Sequence, residues 1–230
     1  MSKNDDLIQD LKNDAQDIAG ASAGALIGFA SGGPIGAIIG SVMPIVIDAA
    51  QRLTGRRRKK VAALVAFTVS KIDEHLDSGK EIRNDGFFSD NRDAPSSAFE
   101  IWERAINFAE NESEQKKLKY TANLIANISF EPSISQPQAN ELLKIAESLS
   151  YQQLSLLQIF ANQPIKLSLR DGDYRGQKEN FTFDKLSVLT EVLELHRYGI
   201  IIMPNDTMLG ISDVNPRKID LLGIGKSLFR

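Results

Sequence analysis

A chain of 230 residues, 42% hydrophobic and 25% charged, has the composition of a globular protein with material for one large or two small domains. Its net charge of −3 argues against general affinity for nucleic acid. The absence of cysteine excludes disulfides and thiolate metal sites and suits a reducing cytoplasm.

The average charge hides an asymmetry. Residues 1–17 carry five Asp against two Lys, whereas residues 51–60 (QRLTGRRRKK) carry six positive charges and no acid. The acidic leader DDLIQDLKNDAQD reads as a polar helix and lacks the positive charge of a signal peptide. Between Asp17 and Asp48 the chain has no charge, and there GASAGALIGFASGGPIGAIIGSVMP sets glycine at Gly20, Gly24, Gly28, Gly32, Gly36 and Gly40.

On an α-helix, residues four apart form one slowly drifting row. Glycines along that row leave a groove without side chains, into which a second helix can settle until the backbones nearly touch. Each glycine costs a helix about 1 kcal/mol against alanine, least where water does not compete for the backbone, so membrane helices use this spacing most. The ladder resembles the glycine zippers of oligomeric membrane proteins. Its uncharged run exceeds the roughly 20 residues that cross a bilayer. Behind it, Arg52, Arg56, Arg57, Arg58, Lys59 and Lys60 match the positive-inside rule and suit anionic lipid headgroups.

Two features oppose an unbroken span. Gly32-Gly33-Pro34 is a turn signal that splits the run into arms 18–31 and 35–47, each about 20 Å long and too short to cross alone. Glycine, alanine and serine also supply little transfer energy. The run therefore reads as a segment stored in a soluble fold and released into membranes, or as a helical hairpin within a soluble domain or oligomer.

After the basic cluster, VAALVAFTVSKIDEHL aligns Val61, Leu64, Val65, Thr68, Ile72 and Leu76 on one helical face, with Gly79 as its stop. IRNDGFFSDNRDAPSS is turn-rich, and Ser96 or Ser97 caps the helix AFEIWERAINFAE. Past a break near Asn111, SEQKKLKYTANLIANISF is a helix burying Tyr120, Leu124, Ile125 and Ile128, and Pro132 and Pro137 punctuate the chain. QANELLKIAESLS and YQQLSLLQIFANQ are short helices divided by a Ser150 cap. IKLSL reads as a strand, RDGDYRGQKEN as an exposed loop, and FDKLSVLTEVLELHRYG as a helix closing on Gly199. IIIMP, a turn at Asn205-Asp206, and TMLGIS read as a β-hairpin. Helix, helix, strand, helix, hairpin is the order of a winged helix-turn-helix.

Chemistry is sparse. His75 stands beside Asp73 and Glu74, but one histidine with acids at non-helical spacing reads as a solvated helix face rather than a metal site. His196, near a helix end, suits the local dipole. No phosphate loop, serine elbow or zinc-helix motif occurs, and Gly223-Ile224-Gly225-Lys226 lacks the rest of a phosphate loop. No catalytic residue, cofactor or metal ligand is expected, and the chain does not read as an enzyme. Glu191 and Glu194, between Lys185 and Arg197 on the would-be recognition helix, would repel a DNA duplex.

From about Ile82 onward, KLKYTANLIANISF (117–130), ELLKIAESLSYQQLSLLQIF (141–160), LTEVLELHRYGII (189–201) and ISDVNPRKIDLLGIGKSLF (211–229) resemble a group of uncharacterised bacterial helical proteins. These pair a charged helix ending in a Y-x-x-x-L-x-A-N-I stretch with a winged-helix-like tail. The tail is also loosely similar to that of the Abi-alpha family, associated by name with abortive phage infection. The resemblance rests on packing patterns, assigns no active site, and leaves the glycine ladder as an addition in front.

The expected fold is mainly α: an acidic leader (1–17), a glycine-zipper helix or hairpin (18–50), a basic juxtamembrane cluster (51–60), a helical domain (61–135) and a winged-helix-like α+β module (136–230). The expected function is a bacterial membrane-associated effector, pore-forming or membrane-perturbing, of phage-defence or toxin type. It would be cytoplasmic with inner-membrane association or insertion. Its partners would be membrane lipids, further copies of itself and a regulatory protein bound through the C-terminal module. The alternative is a soluble oligomeric interaction or regulatory protein, with DNA binding the less favoured variant.

Overall fold

Residues 60–66 are buried without exception, which a helix achieves only when neighbours enclose it on all sides. They belong to α3 (Gly55–Asp77), the central helix of the first of two units, residues 1–147 and 148–230. The structure is a computed structural model that describes residues 3–20, 33–90, 94–176, 181–203 and 210–228. Over these the chain is mainly helical, with a two-stranded antiparallel sheet near the C-terminus.

Around α3 pack α1 (Lys3–Ala19), α2 (Gly33–Arg52), α4 (Ser97–Asn111) and α5 (Leu118–Ile128). Alanine at 62, 63 and 66 leaves room for several helices to approach one axis. From α1 come Leu11, Ala15 and Ala19, spaced by four on its buried face. The helix expected from Val61 starts earlier. Gly55, at φ +57°, turns the chain after α2, so that RRRKK forms the opening turns of α3.

Local signals hold elsewhere in this unit. Ser96 Oγ accepts from Phe99 N (3.2 Å) at the start of α4, and α4 ends at Asn111. Gly79 follows α3 at φ +82°. Trp102, the only tryptophan, is buried on α4 beside Ile101 and Ile106 in sequence. A 3₁₀ turn, Gln115–Lys117, leads into α5, and α6 (Gln136–Ser148) follows.

In the second unit, α7 (Tyr151–Ala161) begins on a capping box: Ser150 Oγ accepts from Gln153 N, and Gln153 Oε1 accepts from Ser150 N (3.1 and 3.0 Å). IKLSL is not a strand; it lies largely in α8 (Gln163–Ser168). Asn162 caps that helix by accepting from Ile165 N (3.2 Å), and Pro164 sits in its first turn. Cap and proline together outweigh a short apolar alternation that either structure can satisfy. After α9 (Phe183–Arg197), Gly199 at φ +67° leads to β1 (Ile201–Ile202).

β1 pairs with β2 (Asp220–Leu221), with Ile201 opposite Leu221 and Ile202 opposite Asp220; most of the expected hairpin, residues 204–209, lies outside the described residues. The turn at Asn205-Asp206 lies outside the described residues, but Ile211–Asp213 is a 3₁₀ turn whose Ser212 carbonyl accepts from Tyr174 N (2.8 Å). That backbone bond ties the segment to the 170–176 loop. α10 (Gly223–Leu228) packs at Gly225 against Ile200, just ahead of β1, where a Cβ would collide with the Ile200 carbonyl oxygen. The Gly223-Ile224-Gly225-Lys226 sequence thus serves a close backbone approach.

Candidate functional site: the glycine row and the basic end of the central helix

Gly20 follows α1 in the left-handed region at φ +54°, the conformation of a helix stop. Gly24, Gly28 and Gly32 lie outside the described residues. Gly33-Pro34 opens α2, where a fixed proline φ suits the first turn. No helix among the described residues is long and apolar enough to cross a membrane.

Two rows with the same spacing run along α2. Ile38, Val42, Val46 and Ala50 are buried, while Gly40, Pro44 and Asp48 are exposed and Gly36 is half-buried. The rows are offset by two residues, about 200° around the helix, and therefore lie on opposite faces. Among the described residues, a Cβ added at Gly36 or Gly40 meets nothing within 4 Å. The apolar row packs into the chain, and the described part of the glycine row faces outward. Pro44 also leaves the Gly40 carbonyl without its helical donor.

The basic residues are largely paired within the chain. Arg52 makes a bidentate pair with Glu110 (3.0 and 2.6 Å) and approaches Asp48 at 3.5 Å. Arg58 pairs with Asp14 and Lys59 with Asp17, so α1 lies with its carboxylates against the start of α3. The Asp17 hydrogen bond raises the Lys59 pKa above its ordinary value. Arg56 donates to the Gln115 side-chain oxygen from Nε and Nη2 (2.9 and 3.1 Å), in the amide orientation that satisfies both groups. Arg56 and Arg57 are exposed.

Lys60, expected at lipid headgroups, is instead 7% exposed and closes the C-terminal end of α4. Its Nζ donates to the carbonyls of Glu110 (2.7 Å) and Glu112 (2.8 Å). Burial, and then the Arg56 and Arg57 charges, push its pKa down. These last carbonyls of a helix have no partner within it. Asp14, Asp17 and Glu110 were not singled out by the sequence reading, because pairing across 40 to 60 residues leaves no local mark; the only signal was the acidic–basic asymmetry itself.

His75 is a second departure. It is buried, not solvated, with Nε2–H donating to Asn127 Oδ1 (2.7 Å) and its ring edge-on to Phe130 at 5.0 Å. Burial lowers its pKa from 6.5, more than the Asn127 bond raises it. The unfolded chain therefore binds the proton more tightly, and the stability His75 contributes is full above about 6.5 and lost as pH falls toward its depressed native value. Stability, measured by denaturation followed by Trp102 fluorescence, is expected to fall as pH drops below about 6.5, with a slope of at most about 1.4 kcal/mol per pH unit from this group. In His75→Gln that slope disappears.

Among the described residues no group of three or more His, Asp or Glu side chains is placed to hold a metal ion. The second unit holds an apolar cleft of about 470 Å³ between α7 and α9, walled by Ile159, Phe160, Tyr174, Val188 and Val192. Beside it in sequence Phe183 is exposed at the start of α9. Comparison of the chain with protein families, curated proteins and solved structures returns no match.

Proposed function

We propose that this chain is a non-enzymatic, membrane-associated bacterial effector that acts by self-association through the outward glycine row of α2, and that the described arrangement is its closed form. The observation that carries this reading is the pair of open glycines at 36 and 40 on a helix whose opposite face is already packed. Glycine in a helix interior costs about 1 kcal/mol against alanine, and among the described residues no side chain uses the space it leaves. A second backbone entering that row supplies the compensating contacts. In this reading Arg56, Arg57, Arg58 and Lys59 meet anionic headgroups at the cytoplasmic face of the inner membrane, and the C-terminal unit receives a regulatory protein. The succession of α7, α8, α9 and an antiparallel strand pair supports reading that unit as winged-helix-like. Glu194, which accepts from Gln153 Nε2 (3.1 Å), and Glu191 disfavour a DNA-reading role for α9. A defence role of the Abi-alpha kind is the biological setting that fits the resemblance.

The test is Gly36→Leu/Gly40→Leu. Because added side chains meet open space, the unfolding midpoint is expected to stay near wild type while self-association, measured by light scattering, is lost. Dye release from phosphatidylglycerol vesicles is expected to fall at least tenfold. A wild-type protein that remains monomeric and releases no dye, with or without protease activation, sinks the proposal. The second reading, a soluble oligomeric regulator, is favoured by the absence of a membrane-length apolar helix among the described residues. It predicts that the same variant loses its oligomer although the wild type never releases dye.

A further inference from the structure

We propose that α1 is an inhibitory strap, occupying with Asp14 and Asp17 the cationic and apolar surface of α3 that the open protein presents to an anionic bilayer. The inference rests on the membrane reading above and adds to it the element that holds the surface closed.

Three observations carry it. First, RRRKK occupies the opening turns of α3, where the helix dipole is positive and cations are disfavoured. The negative charge that such an end prefers comes from α1, through Arg58–Asp14 and Lys59–Asp17. Any denser source of anionic oxygens competes for the same cations, and a bilayer rich in anionic lipid is one.

Second, the buried apolar side chains described on α1, Leu11, Ala15 and Ala19, share that helix with Asp14 and Asp17, so one element covers cations and apolar surface together. Third, what α1 covers is apolar: it packs along α3, whose residues 61–66 are all buried Val, Ala or Leu. Release of α1 bares cations and apolar surface on one helix, side by side. A helix with a basic end and an apolar face lies at a headgroup boundary with the cations outward. The strap and the bilayer are therefore alternative occupants of one surface. The two ion pairs differ in burial: Asp14 is 14% exposed at its side chain and Asp17 59%. Asp17 is accordingly the point at which solvent or lipid first reaches the contact.

The experiment uses the full chain as Asp14→Asn/Asp17→Asn, with Asp17→Asn alone as a milder variant. Asp73→Asn/Asp77→Asn serves as a control that changes net charge equally at exposed positions of α3. Circular dichroism checks that each stays helical. Co-sedimentation with phosphatidylglycerol and phosphatidylcholine vesicles is read together with hydrogen exchange of amides 3–19. The double variant is expected to bind phosphatidylglycerol at least tenfold tighter than wild type, with exchange in α1 at least tenfold faster. Asp17→Asn should move both readouts the same way by less, and the control and phosphatidylcholine should show no gain. An equal gain in the control, or unchanged α1 exchange, overturns the strap. Variant and wild type binding equally well also overturns it while leaving the membrane reading standing. Absence of binding by every protein removes both.

Discussion

Lys117→Met is expected to destabilise the first unit by about 3–5 kcal/mol, the cost of stranding a buried charge. Lys117 is 4% exposed, yet it is satisfied. Its Nζ pairs with Glu112 Oε2 (2.8 Å), donates to the Glu147 carbonyl at the end of α6 (2.9 Å), and lies 5.2 Å from the Phe108 ring centre. Methionine keeps the aliphatic stem and removes only the ammonium. Glu112, 8% exposed at its side chain, then loses its ion-pair partner. Urea denaturation read by Trp102 reports this unit directly. Lys117→Met/Glu112→Gln should recover most of the loss, since an uncharged pair carries no orphaned ion.

The pH dependence separates charge from packing. In the native protein burial pushes the Glu112 carboxyl up, but the Lys117 hydrogen bond, the Glu114 and Ser113 backbone N–H groups and the Lys117 charge hold it below its ordinary 4.5. Its contribution is thus present above that value and lost as pH falls through the depressed one. Without Lys117, two of the causes that lower it are gone, so the variant's native state holds the Glu112 proton more tightly than the wild type does. The deficit of the variant should therefore shrink as pH falls from neutral toward the carboxylate range. A deficit that is constant with pH assigns the effect to packing alone.

Arg83→Met is the second large effect expected. The Arg83 side chain is 3% exposed and joins three segments. Nη1 donates to the carbonyls of Ile128 (3.2 Å) and Ile134 (3.0 Å), Nε and Nη2 hold Asp85 (2.9 and 2.5 Å), and the guanidinium sits 4.1 Å from the Phe87 ring centre. The Arg83 hydrogen bond is the main cause of the lowered Asp85 pKa. Methionine removes the Nη1 donor from the Ile134 carbonyl and leaves the Ile128 carbonyl, at the end of α5, with a longer bond from Glu131 N (3.3 Å), at about 1–3 kcal/mol for a carbonyl left without a donor. Arg83→Lys should fall between, because an ammonium reaches one carbonyl but cannot span the fork. Equal stability of the lysine variant and wild type would show that the bidentate geometry contributes nothing.

Features legible in the sequence were those whose cause is local. Ser96 and Ser150 cap helices because a hydroxyl reaches a backbone N–H three residues on, and Gly79 and Gly199 end helices because they tolerate positive φ. The helical state of IKLSL is also decided locally, by Asn162 and Pro164, which stand just ahead of the alternating stretch. The pairing of β1 with β2 was out of reach, since Asp220–Leu221 lies about twenty residues on and no local pattern links it to Ile201.

The candidate site divides in the same way. By itself the sequence determined that glycines at a spacing of four share a row, that Gly33-Pro34 interrupts the apolar run, and that an acidic leader faces a basic cluster of opposite sign. Only the tertiary structure decided that Gly20 is a helix stop, that Gly36 and Gly40 face outward, and that Asp14, Asp17 and Glu110 take the cations expected at lipid. Periodicity specifies which residues share a face, because backbone geometry repeats; which object that face meets is set by chain segments tens of residues away, through burial that no local pattern encodes.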